Sequence, residues 1–283
     1  MLELYFESNE EVISFCEYLF HYSKRIELHW KTDEDWGNRL QIAYQLTEHE
    51  MVNAIAKAMT DVFVEHRLTK LINTIITDCY YYSDAIEIER IMDLTQWIFS
   101  GEDIDRKWMQ DEKDSKRLLL SLFIANIKNN TTVHYDSIVN FRLRAFRDQL
   151  IHLVGVAIDE FKREEEHQEF INTLREYILK KETRYPIIHV LQGSSFLFFK
   201  KDGKRFSENE LRSIMKKEPL YIVGLDGDEF NLAPLIALSP NKIKIYGDHP
   251  SEPKTMTVIN VFQEKVEFVP YHDFPFPIQL KNQ

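Results

Sequence analysis

Hydrophobic side chains recur along this chain in two rhythms, helical up to about residue 183 and mixed thereafter, with a short strand-bearing piece in front. In that first piece, LELYF, IELHW and LQIAYQ read as strands. An amphipathic helix from Asn9 to Tyr22 separates the first two, and a turn at Asp33, Asp35 and Gly37 joins the others. Residues 1–46 therefore form a small α/β cap with too few strands to stand alone.

From Thr47 the period becomes helical. Thr47 and Glu50 are spaced as a capping box, and Val52, Ile55, Met59, Val62 and His66 follow at intervals of three and four. Leu68, Ile72, Ile75, Cys79 and Tyr82 continue the stripe beyond a kink. Ser83 or Asp84 caps another helix carrying Ile88, Ile91, Leu94 and Ile98, and Gly101 is placed to end it. Longer helices are expected over about 104–128 and 137–163, and a last one runs to Lys181, completing a helical domain over 47–183.

All nine prolines follow residue 185, and five of the eight glycines follow residue 190. Past that boundary IIHVLQ and SFLFFK flank Gly193-Ser194 as a hairpin, and Asp202-Gly203 makes a second turn. Ser207 with Glu210 opens a helix reaching Lys217. Then come a strand YIVGL, a helix from Asp228 to Leu238, a strand KIKIY, a helix opened by Ser251 and Pro253, and a strand VEFV. Strands beginning at Tyr221, Ile243 and Val266 lie 22 and 23 residues apart with helices between, the spacing of βαβ units in a parallel sheet. Residues 184–283 are read as a C-terminal α/β domain, and the fold class as α+β, mainly helical.

Composition narrows the function. A chain of 283 residues with 44% hydrophobic side chains has ample core, and its longest apolar run, Leu118 to Ile127, is about half a bilayer span. No membrane insertion is expected. The acidic start (Glu3, Glu7, Glu10, Glu11) lacks the basic flank of a signal peptide, which makes the cytoplasm the expected location. Cys16 and Cys79 stand 63 positions apart in no CxxC spacing; neither a disulfide framework nor a zinc site follows, and both are expected as small buried residues.

Charge is uneven. Residues 1–105 carry 8 Lys+Arg against 21 Asp+Glu, a balance of −13, whereas 180–217 holds 10 basic and 4 acidic residues. Nucleic acid would be repelled by the former, so binding of that kind falls to the latter. Lys200, Lys201, Lys204 and Arg205, followed by Lys216 and Lys217, are the phosphate candidates, with Phe198 and Phe199 as stacking platforms. The alternative is that these lysines protect an exposed sheet edge.

FRLRAFRDQL offers another basic cluster. Helical geometry puts Val139, Leu143, Phe146, Leu150, Leu153, Ala157 and Phe161 on one stripe. With Leu143 as zero, Arg147 falls at about 40°, Arg144 at about 100° and Arg142 at about 260°. The arginines share no face. Arg144 is spaced to pair with Asp148 and Arg147 to lie along the stripe, which favours a structural role over a ligand or partner contact.

Asp226 and Asp228 in GLDGDEF follow a predicted strand, where open α/β sheets bind ligands, and two carboxylates there are candidates for Mg²⁺. A turn at Asp226-Gly227 and a helix cap at Asp228 explain them as well. None of the ten histidines forms HxxxH, the one ExxH (Glu164 to His167) lies in a charged run, and His152 flanks the apolar stripe. Tyr80, Tyr81 and Tyr82, with Trp97 and Trp108, supply part of an interaction surface or ordinary packing. GxxxxGK[ST], GxGxxG and GxSxG are all absent from the sequence, so no cofactor is assigned.

SIVNFRLRAFRDQL and NLAPLIALSPNKIKIYG resemble the YtxC-like family, proteins linked to sporulation in endospore-forming bacteria, and the similarity extends along the chain. The resemblance implies a cytoplasmic bacterial protein and no reaction. The leading expectation is a non-catalytic protein acting through protein contacts. Nucleic-acid binding through 180–217 and a metal-dependent enzyme using Asp226 and Asp228 are the alternatives.

Overall fold

The computed structural model describes residues 2–33, 37–45, 47–101, 114–128, 131–225 and 230–277. They fall into two compact units, Met1–Arg163 and Glu164–Gln283, each with its own core.

Unit 1 opens with β1 (Leu2–Phe6), α1 (Asn9–Tyr22), β2 (Ile26–Asp33) and β3 (Gly37–Tyr44). β3 lies between β1 and β2 and is antiparallel to both, a split β-α-β unit. The fourth strand of this sheet, β4 (Thr132–His134), arrives from the helical stretch and pairs parallel with β1, giving the order β2-β3-β1-β4. Alternation decides which face is covered: Leu2, Leu4, Phe6, Leu40, Ile42 and Val133 are buried. Gly37 turns the β2–β3 hairpin at φ +74°, and a Cβ there would stand 2.7 Å from the Phe6 carbonyl oxygen.

The helices α2 (Glu48–Phe63), α3 (Thr69–Asp78), α4 (Ala85–Ser100), α5 (Asp114–Ile127), α6 (Tyr135–Phe141) and the first part of α7 (Arg144–Leu179) complete the unit. The Thr47–Glu50 capping box, the Asp84 cap and the left-handed Gly101 at φ 68° are all present. The expected kink is a π-helical turn, Val64–Leu68. Its i→i+5 geometry brings Leu68 back over Phe63, so both are buried although five positions apart.

Two helical expectations need correction. The helix expected over 137–163 is interrupted: α6 ends at Phe141 and α7 begins at Arg144. The spacing from Val139 to Leu143 suits an unbroken helix, so the pattern hides a break whose exposed residues, Phe141 and Arg142, carry no core contact. α7 then runs 36 residues without the further break expected after Arg163, because its charged middle contains no Gly or Pro.

Unit 2 contains β5 (Tyr185–Leu191), β6 (Leu197–Phe199), α8 (Glu208–Met215), α9 (Ala233–Leu238), β7 (Pro240–Gly247), α10 (Pro253–Phe262) and β8 (Val266–Pro270). The sheet order is β6-β5-β7-β8, with β5, β7 and β8 parallel and β6 antiparallel. The strand expected at Tyr221 is instead a 3₁₀ turn, Leu220–Val223. Pro219 and Gly224 bracket it, and i,i+3 eclipsing buries Leu220 and Val223 while Tyr221 and Ile222 face solvent. The parallel partner of β7 is therefore β5, with Ile188 opposite Ile243.

Ile188, Val190, Ile243 and Ile245 face the helices, together with Ile171, Leu174 and Ile178 from the end of α7. The other face of the sheet is strapped by the segment after β8. Phe274 packs edge-on to Phe199 at 5.0 Å and Tyr246 at 5.1 Å, and Phe276 to His189 at 5.0 Å. Gly203, at φ +83°, makes room for the Phe276 ring, which would lie 2.4 Å from a Cβ. Under this strap His189 shares a 2.9 Å hydrogen bond between Nδ1 and the Tyr246 hydroxyl.

Neither cysteine is fully buried: Cys16 is half-buried, and Cys79, just past α3, is exposed. Burial still pushes the Cys16 thiol up to about 11, so little of it is thiolate at neutral pH. A thiol reagent under native conditions is expected to modify Cys79 first, with Cys16 reacting on unfolding; mass mapping of labelled peptides over time checks this. Burial, aided by Lys244, also lowers the pKa of His189. The unfolded chain then holds the proton more readily, so unit 2 keeps its full stability above the ordinary histidine range and loses it as pH falls through that range. Urea melts from about pH 8 to about pH 5 are expected to show this loss, and a smaller one in His189→Gln.

Candidate functional site

The rule that ligands settle beyond the carboxyl ends of parallel strands applies here to β5, β7 and β8. A cleft of about 530 Å³ lies there, lined by Gln192 and Gly193 after β5, Asp248 and His249 after β7, Glu252 before α10, and Tyr271 after β8. Gln192 latches its floor. The Gln192 amide oxygen accepts from the His249 N–H at 3.1 Å, and the two hydrogens of its Nε2 are shared among the His249 carbonyl, the Glu252 carboxylate and the Thr255 hydroxyl at 2.7–2.8 Å. Gly247 has to lack a side chain, since Gln192 Oε1 would be 2.1 Å from its Cβ. Both crossovers, β5 to β7 and β7 to β8, step the same way across the sheet. The strand order therefore never reverses, and the cleft lacks the deep crevice of a switch point.

The residues nominated from sequence are scattered. Arg144 and Arg147 are exposed on α7. Lys200 lies 3.3 Å from Glu210 and 4.7 Å from the centre of the Phe206 ring, and Lys201, Lys204 and Arg205 are exposed around the Asp202-Gly203 turn. Phe198 and Phe199 are not the stacking platforms expected beside them: at 2% and 5% exposure they belong to the cores on opposite sides of the sheet. Asp226 and Asp228 lie outside the described residues, as does Trp108. Among the described residues, no three His, Cys, Asp or Glu side chains stand close enough to hold a metal ion, and no helix is long and apolar enough to cross a membrane.

The densest polar cluster went unseen in the sequence. The π turn presents Arg67 to α1 and α6, where it makes a bidentate pair with Glu11 and reaches Asp136 at 2.9 Å. The second Asp136 oxygen accepts the Glu7 N–H at 2.9 Å. The hydrogen bonds that Arg67 donates to Glu11 hold the guanidinium pKa above its ordinary value, although burial opposes them. Beside it, Ser14 Oγ lies 2.8 Å from His66 Nε2, and Glu65 approaches the same nitrogen at 3.4 Å. A nucleophile–base pair would need an orienting group on the second nitrogen.

One further feature faces outward. Tyr80, Tyr81 and Tyr82 turn the corner from α3 to α4. The Tyr80 hydroxyl donates to the Ile151 carbonyl at 2.8 Å, and its ring lies over α7 at Gly155, where a Cβ would be 2.7 Å from Oη. Tyr82 is half-buried. Asp84 Oδ1 caps α4 by accepting from Ile86 and Glu87 at 2.9 and 3.0 Å. Between these anchors Tyr81 is held left-handed at φ 60° and is 84% exposed, and Ile86 is 78% exposed. Asp78, Asp84 and Glu89 are exposed within eight residues of them along the chain, against one exposed cation, Arg90. The tyrosine run was visible in the sequence; which tyrosine turns outward was not.

A family model described as YtxC-like family matches residues 53–267. A relative named "Uncharacterized protein YtxC", from Bacillus subtilis (strain 168), is 27% identical over 279 residues, covering 97% of this chain and 96% of the relative. No solved structure matches.

Replacing Arg67 with Met leaves Glu11 and Asp136 buried without their cation. A loss of about 2–3 kcal/mol is expected, below the ~3–5 of a fully buried pair because the guanidinium is partly open to water. Denaturant unfolding of unit 1 checks it, and Arg67→Lys should recover only part of the loss because one ammonium cannot serve both carboxylates in the same geometry.

Proposed function

Because the chain belongs to the YtxC-like family, we propose that it is a cytoplasmic, non-catalytic protein that acts through protein contacts in a sporulation-related process. The observation carrying this reading is the α3–α4 corner. A left-handed tyrosine costs on the order of 1–3 kcal/mol, and such strain concentrates where function requires a fixed presentation. Tyrosine is also a favoured anchor in interfaces, since a large amphipathic ring is held at little entropic cost. Tyr81 and Ile86 are too small to form an interface alone, so they are its centre and the acidic residues near them along the chain its rim. The partner has an apolar pocket for the Tyr81 ring and basic side chains about its mouth.

Tagged native protein and a Tyr81→Ser, Ile86→Ser variant should be recovered from sporulating cells after mild crosslinking. The native chain is expected to bring down a stoichiometric partner that the variant loses, with both chains melting within about 0.5 kcal/mol of each other, as surface changes do. Recovery of the same partner by both chains, or of the native chain by itself, would refute the proposal.

A further inference from the structure

The sheet of unit 2 packs its main core on one face, and the residues buried on the other, Leu191, Phe199 and Tyr246, form a cluster of their own. The strap over them is the segment after β8, YHDFPFP over Tyr271–Pro277. Its two phenylalanines alternate with prolines, and that alternation decides how it sits. Residues two apart reach the same side in extended backbone, and proline holds the residue before it extended. Phe274 accordingly stands at φ −64° and ψ 119°. Both rings reach the sheet 5.6 Å from each other, Phe274 against Phe199 and Tyr246, Phe276 against His189 and over Gly203.

The floor is preformed, and the strap is not built into it. The hydrogen bond between His189 Nδ1 and the Tyr246 hydroxyl fixes two side chains of the floor to each other, and Gly203 has no Cβ to fill the Phe276 socket. Pro275 and Pro277 have no N–H to offer a strand. Among the described residues, the strap's backbone hydrogen bond, Phe274 N–H to the Tyr271 carbonyl at 3.2 Å, stays inside its own turn. Both rings are half-buried and both prolines exposed. The strap is thus held to the sheet by side chains, a condition under which a segment opens while the rest of its domain stays folded.

We propose that this face is a recognition site for an extended protein segment with an aromatic ring on either side of a proline, and that the chain's own strap occupies it until a partner segment of that kind displaces it. The seated strap displays the chemistry that fits: ring, proline, ring, without main-chain pairing. A tethered occupant is present at high effective concentration. A competitor must therefore lose little freedom on docking, which proline-restricted segments do.

Fluorescence anisotropy of a labelled peptide with the sequence of residues 271–277, added to the full chain, tests this. The native chain is expected to bind weakly, since its affinity is reduced by the fraction of molecules whose strap is open, and the Phe274→Ser, Phe276→Ser chain about tenfold or more tightly. A scrambled peptide of the same composition should bind neither. Adding Gly203→Asn to the double variant should abolish binding, because asparagine tolerates the left-handed backbone yet fills the socket. If the double variant does not fold, Phe276→Ser alone takes its place, and loss of unit 2 there as well would make the strap a fixed part of the core. That result, equal binding by native and substituted chains, equal binding of the scrambled peptide, or no binding at all would overturn the assignment. So would sedimentation of the native chain as a dimer that the double variant does not form, which would give the face to a second copy of the chain. The Tyr81→Ser, Ile86→Ser chain should treat the peptide as the native chain does, which separates this result from the fate of the corner.

Discussion

A carboxylate taken out of water must find a cation, and in unit 1 that demand converges on Arg67. Glu11 and Asp136 are 2% and 6% exposed, and one guanidinium serves both. Glu11 belongs to α1, Asp136 to α6, and Arg67 to the π turn between α2 and α3, so a single planar cation ties three separated pieces of chain. Asp136 also accepts the Glu7 N–H, which sets the connection from β1 into α1. A regular α-helix through Val64–Leu68 would rotate Arg67 relative to Phe63 and Leu68. The wider turn lets the apolar residues stay in the core while the cation reaches its partners.

Unit 2 meets the same demand differently. Glu218 is 6% exposed and sits between Lys181 at 2.7 Å and Arg184 at 2.5 Å. Burial alone would raise its pKa, but the two cations outweigh burial and the net shift is downward. Lys181 also donates to the Ile236 carbonyl at 2.9 Å, so the end of α7 is held to both the turn before Leu220 and to α9. At the other end of the sheet Gln192 performs a neutral version of this task, with its amide hydrogen-bonded to the loop and helix after β7. These groups look polar and reactive in sequence, yet their hydrogen-bonding capacity is spent on holding the fold.

The surface features left over have a different character. Tyr81 and Ile86 are exposed although apolar, and beside Tyr22 a groove is lined by Lys57, Lys116 and Arg117 together with Asp61. Both lie on the helical part of unit 1, at opposite ends of α4, which starts beside Ile86 and ends at the groove with Gly101. A helix of 16 residues holds the two about 24 Å apart along its axis.

Local patterns settled much of the secondary structure. Alternation in LELYF, the capping residues Thr47, Asp84 and Ser207, and the stripe from Leu143 to Phe161 each involve neighbours within one or two turns, and each is realised. Where two local readings had similar composition, only packing decided. YIVG became a 3₁₀ turn because Leu220 and Val223 enter the core together, and Val139 and Leu143 kept helical spacing across a break. Pairing at a distance was beyond local pattern altogether: β4 joins β1 across more than a hundred residues, Arg67 finds Glu11 and Asp136, and Tyr81 is turned out because Tyr80 is anchored on α7. Hydrophobic periodicity records which way a residue faces relative to its own helix or strand. Which other element it meets, and hence where charges converge or an aromatic ring is left in solvent, is decided by the three-dimensional packing of segments far apart in the chain.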